Sequence, residues 1–262
     1  MKFSVSSRQT AEYLAKADEI KIQWRDRRII PELCEKYPNK TLNLTRLYSD
    51  TTEYVIDWKE LNTYRILSRD HLIIGFSTPD EMFEAKKEGH TVYFLSPVRS
   101  FQELSSYKRA GVCRVQLDAP LFFQMDKVKT FGIPVYAIAN VARSTSIFSH
   151  PNGISGTWIR PEDVKTYDPY IDVIEFWGNQ SQEQALFRIY AEKGEWSGEL
   201  GMLVKDLNYI CTNRMVPPSL AEARLTCGQR CEENGRCHLC QRTFDLANPD
   251  LLRNYLDSTK ES

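Results

Sequence analysis

Along the chain, short runs dominated by Val, Ile, Leu, Phe and Tyr alternate with longer stretches whose apolar residues return every three or four positions. The first run, KFSVSS at 2–7, leads into the helical RQTAEYLAKA, and EIKIQW at 19–24 leads into DRRIIPELCEKY. TLNLT (41–45), LIIGFS (72–77), TVYFLS (91–96), VCRVQL (112–117), PVYAIAN (134–140) and VIEFWG (173–178) continue the series, which predicts eight strands. Helix boundaries are written between them. Asp57 with Glu60 and Ser100 with Glu103 form capping-box patterns, Thr78 before Pro79 reads as a cap, and Gly89 and Gly111 read as stops. Most of the runs are apolar on both faces or nearly so, as parallel strands under helices must be. Eight βα units with right-handed crossovers close most economically into a (β/α)8 TIM-type barrel. An open doubly wound sheet is the competitor, but no G-x-G-x-x-G turn follows any strand.

The rhythm stops after Lys193. GEWSGELGMLVKDLNYICTNRMVPPS offers one short helix and then the Pro217-Pro218 breaker, so 1–195 reads as the barrel and 196–262 as a Cys-rich appendage. So short a segment buries little core by itself, and stapling by a metal is the usual remedy.

Composition narrows the function classes. A hydrophobic share of 42%, a charged share of 26% and a net charge of -1 over 262 residues describe an ordinary globular chain. There is no basic excess to hold a phosphate backbone through counterion release. No apolar run approaches the roughly 18 to 20 residues of a membrane span, and MKFSVSSRQT lacks a signal-peptide core, so a cytoplasmic location is expected.

Three of the seven cysteines, Cys34, Cys113 and Cys211, are scattered and read as small buried residues. The other four, Cys227, Cys231, Cys237 and Cys240, fall within fourteen residues in a C-x3-C-x5-C-x2-C pattern. In a reducing compartment such density favours ligation over two disulfides. Gly228 and Gly235 let the backbone wrap an ion, and Arg230, Arg236 and Arg242 offset thiolate charge. The spacing serves Zn²⁺ or a [4Fe–4S] cluster equally well, and His238 is read as an exposed neighbour.

GTWIRPEDVKTYDPYIDVIEFWG (156–178) followed by GEWSGELGML (194–203) resembles the peptidase U32-like barrel proteins, through Ile159, Arg160, Pro161, Glu162, Asp163, Tyr167, Ile171 and Asp172. CGQRC…CHLCQRTFDL resembles the cysteine-rich stretch of the same family, and the two likenesses cover about a third of the chain. The resemblance implies an iron–sulfur barrel protein, several relatives being linked to oxygen-independent hydroxylation of RNA bases or of the ubiquinone precursor. Two departures stand out. Glu175-Phe176-Trp177-Gly178 replaces a Lys/Arg-bearing strand end, and VARSTSIFSHPNG (141–153) carries no cysteine.

Barrel chemistry gathers at the C-terminal ends of the strands. Arg25, Arg46, Arg99, Asn140 and Arg143 are placed there by sequence as substrate-binding candidates, and Asp118 and Glu175 as catalytic candidates for proton transfer. Ser6, Arg8, Asp26 and Ser96 share that end, and Trp24 and Trp177 are candidate stacking platforms. His71, His90 and His150 are expected to face solvent, and Arg160 to be structural. There is no H-E-x-x-H, G-x-S-x-G or Walker loop. The reading is therefore a U32-like metalloprotein acting on an anionic small molecule or RNA base. Its rival is a non-catalytic barrel whose zinc-stapled tail binds a protein partner.

Overall fold

The structure, a computed structural model, describes residues 1–141, 157–198, 200–204 and 213–227. Its frame is one parallel sheet of eight strands: β1 (Lys2–Ser6), β2 (Glu19–Gln23), β3 (Thr41–Arg46), β4 (Leu72–Phe76), β5 (Thr91–Phe94), β6 (Val115–Gln116), β7 (Val135–Ile138) and β8 (Val173–Glu175). Spatial order is β5-β4-β3-β2-β1-β8-β7-β6, all pairs parallel. The two end strands meet through a single parallel bridge, Val98 with Leu117, and the nearby bond from Cys113 N to Val92 O, which nearly closes the sheet into a barrel. The (β/α)8 architecture expected from the sequence is the one found.

Helices follow the strands as the repeat requires. They are α1 (Ala11–Lys16), α2 (Ile30–Lys36), α3 (Tyr48–Glu53), α4 (Trp58–Leu67), α5 (Pro79–Lys87), α6 (Phe101–Ala110), α7 (Ala119–Phe122), α8 (Met125–Lys129), α9 (Val164–Tyr167), α10 (Gln180–Phe187), α11 (Leu200–Leu203) and α12 (Ser219–Arg224). Asp57 caps α4 by accepting from the Lys59 and Glu60 amides, as its place predicts. The box is not completed, because the Glu60 carboxylate is taken by Arg27 and the Tyr64 hydroxyl. Ser100 caps α6, and Gly111 ends it in the left-handed region at φ 65°.

Strand parity decides which side chains meet helices and which meet the barrel axis. Val5, Ile20, Ile22, Leu42, Leu44, Ile74 and Ile174 are fully buried under the helical layer. Their alternates, Ser4, Glu19, Lys21, Asn43, Tyr93, Tyr136 and Glu175, face the lumen, where these polar groups sit beside a small apolar cluster that includes Val173 and Ile73. The expectation of strands apolar on both faces is therefore corrected: the outer face is apolar apart from Arg46 at the end of β3, and the inner face mixes charged with apolar positions. Gly75 is the β4 residue at this level, and a Cβ there would lie 2.5 Å from Tyr93 Cζ, so the ring fills the space a side chain would take.

The described parts of 196–262 pack on the barrel, with Leu203, Val204, Val216, Leu220 and Ala221 in the same buried cluster as the barrel core. Two arginines clamp them. Arg160 is bidentate on Asp163 (2.7 and 2.8 Å) and donates to the Val216 carbonyl at 2.7 Å. Arg224 donates to the Trp158 carbonyl at 3.0 Å and lies over the rings of Trp158 and Phe123. Among the described residues no helix is long and apolar enough to cross a membrane.

Candidate functional site at the C-terminal mouth

A buried ion network crosses the lumen. Arg114, just before β6 and 4% exposed, donates from Nη1 to both Glu19 oxygens (3.0 and 2.8 Å) and from Nη2 to Glu175 Oε1 (3.2 Å) and the Tyr93 hydroxyl (3.1 Å). The rings of Tyr93 and Tyr136 sandwich its guanidinium at 4.4 and 4.7 Å. Asn43 and Ser4 donate to Glu19, and Tyr93 donates to Asn43. Toward the C-terminal end, Lys21 Nζ reaches Glu175 Oε2 at 3.4 Å. Two cations and two carboxylates balance, which is what so dry a setting demands. Burial pushes the Glu19 carboxyl upward against the opposing pull of Arg114, with Glu175 adding to the rise. Burial also raises the Tyr93 hydroxyl, and it pushes the Cys113 thiol to about 11.

Above this network, at the ends of β7 and β8, lies a cavity of about 780 Å³ lined by Asn140, Trp177, Gln182, Ile189, Trp196 and Met202 among others. Its wall is α10, capped by the reciprocal Asn179–Gln182 box, continuing into a π-helical turn at Arg188–Lys193. π-turns widen a helix locally and are frequent at functional sites. The Asn140 amide clips the end of β8, donating to the Trp177 carbonyl (2.7 Å) and accepting from its amide (2.8 Å). That clip holds Trp177 on the rim with 49% of its surface exposed. Beside the mouth, Glu183 on α10 accepts from the Ser6 amide and the Gln9 side chain, and burial raises its carboxyl.

The residues picked out from the sequence divide. Glu175 lies in the lumen network, and Asn140 and Trp177 line the cavity. Asp118 is the N-cap of α7, accepting from the Ala119 amide at 2.8 Å, with the exposed Arg99 3.6 Å away. Arg25 is exposed on the 3-10 helix that follows β2 (Trp24–Ile29), and Arg8 pairs with Asp26. Arg46 has the parity of Leu42 and Leu44 and so points outward. There it is buried over Trp24, chelating Glu81 and donating to the Tyr54 carbonyl. Trp24 is buried beneath it, so neither belongs to the mouth; both readings are corrected. His90 is buried against Trp58, not solvent-facing, and burial lowers its proton affinity. The ring of arginines expected at the mouth is not assembled by Arg25, Arg46 and Arg99.

Arg143, His150, Cys231, Cys237 and Cys240 lie outside the described residues. Cys227 is half-buried at the end of the clamped segment, near Tyr167, whose hydroxyl burial raises. Among the described residues no three His, Cys, Asp or Glu side chains converge on a metal position. Lys21, Glu19 and Arg114 were missed by the sequence reading, although charged residues at alternate positions of apolar strands are the signal for them.

No protein-family model matches the chain, and no curated protein matches it. Nine chains of solved structures match it. One is a cube-shaped, highly porous protein cage designed by fusing symmetric oligomeric domains, 13% identical, with 99% of this chain and 83% of that chain covered at a TM-score of 0.40.

Proposed function

We propose that this chain is a U32-like barrel metalloprotein that binds a planar ring, such as an RNA base, at its C-terminal mouth and modifies it. The observation that carries the reading is the cavity at the ends of β7 and β8, with Trp177 half-exposed on its rim and carboxamides of Asn140 and Gln182 in its lining. An indole face stacks a base, while the Asn140 carboxamide, spent on the Trp177 backbone, and the Gln182 carboxamide, whose oxygen accepts from the Asn179 amide, hold the rim in place. Among the described residues Arg25, Arg46 and Arg99 do not gather at the mouth, so the ring-binding reading has the more direct support. Cys227, Cys231, Cys237 and Cys240 would hold the inorganic centre, a [4Fe–4S] cluster supplying one-electron chemistry when bound. Cys227 supports this by its half-buried place on a segment that Arg160 and Arg224 tie to the loops of β6 and β7.

The test is a fluorescence titration with purine and pyrimidine nucleosides, on protein purified without oxygen and assayed for iron, sulfide and zinc. Quenching in the wild type, weakened about ten-fold or more in Trp177→Ala, is the expected result, since base stacking is worth about 1–3 kcal/mol. No quenching by any nucleoside, or none lost in the variant, overturns the binding half. A colourless protein with one zinc per chain overturns the redox half and leaves the zinc-stapled interaction protein.

A further inference from the structure

Lys21 is the lumen's second cation, and its setting differs from that of Arg114. On β2, Ile20 and Ile22 go under the helices, which puts Glu19, Lys21 and Gln23 on the axis side at successively higher levels. Glu19 is closed off by Arg114, Asn43 and Ser4. Gln23, at the mouth, is exposed. Lys21 lies between them with its side chain 24% exposed, and among the described residues its one ion-pair contact is the long one to Glu175 Oε2. The other Glu175 oxygen is engaged by Arg114. A carboxylate shared with a permanently charged guanidinium holds a second cation less tightly. A primary amine level with Ser6, the last residue of β1, with a carboxylate 3.4 Å away as proton acceptor and the Arg114 cation on that carboxylate's other oxygen opposing its ammonium form, has the groups that imine formation uses.

We propose that Lys21 is a carbonyl-reactive amine, forming an imine with a small aldehyde or ketone that enters the C-terminal mouth. Glu175 takes a proton from the Lys21 ammonium, and the free amine adds to the carbonyl carbon to give a carbinolamine. Glu175 returns the proton to the departing hydroxyl, the C–O bond breaks and water leaves, so that ammonium and carbonyl become iminium and water with no net change of oxidation state. The inference rests on the reading that the C-terminal mouth is the working end, but not on the cysteine centre or on the ring stacked at Trp177.

The full chain is incubated with one equivalent of glycolaldehyde, or separately of pyruvate, reduced with borohydride and mapped by peptide mass spectrometry. The reduced adduct is expected on the Lys21 peptide in about ten-fold excess over exposed Lys59 and Lys87, because a positioned base activates the amine. Lys21→Arg keeps the cation and its pairing with Glu175, so that variant folds with an unchanged melting temperature and loses only this adduct. Glu175→Gln retains an acceptor for Arg114 and forms the adduct about ten-fold more slowly. Labelling of Lys21 no greater than that of Lys59 and Lys87 with both probes overturns the proposal, as does an undiminished rate in Glu175→Gln. Protein without iron, or blind to nucleosides, sinks the preceding reading and leaves this result standing.

Discussion

Replacing Arg114 by Met tests whether the lumen network holds the barrel together. Met roughly fills the space of the aliphatic stem and keeps a favourable contact with the Tyr93 and Tyr136 rings, so the loss is chiefly electrostatic. Glu175 retains Lys21, but Glu19 is left with only the neutral donors Asn43 and Ser4. Breaking a buried pair from one side costs about 3–5 kcal/mol, since the surviving charge is uncompensated. For a domain of this size that is a fall of roughly 10 °C in melting temperature. The pH dependence has a definite sign. A carboxyl raised by burial holds a proton in the folded state where the unfolded chain has released it, so stability falls as pH rises through and above the ordinary carboxylate range. In the wild type Arg114 opposes that rise, and the variant removes the opposition. Urea melts followed by circular dichroism are expected to show the full deficit at about pH 8 and a smaller one at about pH 5. Glu19→Gln in the Arg114→Met background removes the orphaned charge and recovers a large part of the loss. An Arg114→Met protein as stable as the wild type at both pH values, or a deficit that is flat with pH, refutes the reasoning.

Arg224→Ala removes a buried hydrogen bond to Trp158 and the stacking on Trp158 and Phe123, worth about 2–4 kcal/mol together, and is expected to speed limited proteolysis within 213–227 ahead of the barrel. Gly75→Ala drives a methyl group to within 2.5 Å of Tyr93 and 2.8 Å of Leu95, an overpacking of about 1–3 kcal/mol that a thermal melt reads directly.

The eight strands were legible because their outer faces carry apolar residues at period two, Arg46 excepted, with capping residues and glycine stops between them. What was not legible was the lumen, and the reason is specific. EIKIQW and VCRVQL were read by their apolar content, which hid the fact that Glu19, Lys21 and Gln23, and likewise Arg114 and Gln116, occupy one parity. Arg46 was misassigned by the same omission, since counting to the end of β3 placed it at the mouth whereas parity with Leu42 and Leu44 places it under α5. Trp24 shares the parity of Ile20 and Ile22 and went the same way. Trp177 and Asn140 were legible from position alone. The partnership that fixes them, a side-chain amide imitating a strand neighbour, joins residues 37 apart and leaves no local pattern.

The lumen network also bears on how the barrel closes. Seven junctions of the sheet are continuous ladders, whereas the β5–β6 junction is a bridge at Val98 and Leu117 with a few flanking bonds. Arg114 stands at the entry to β6 and reaches across the lumen to Glu19 on β2 and Glu175 on β8, so β6 is tied to the far wall as well as to β7. Glu175 is thus shared between the seam and the mouth: one oxygen serves the guanidinium that closes the barrel, the other the amine proposed to react. Variants of Glu175 are therefore expected to move stability and reactivity together, while Lys21→Arg, which leaves every Arg114 bond in place, separates the two.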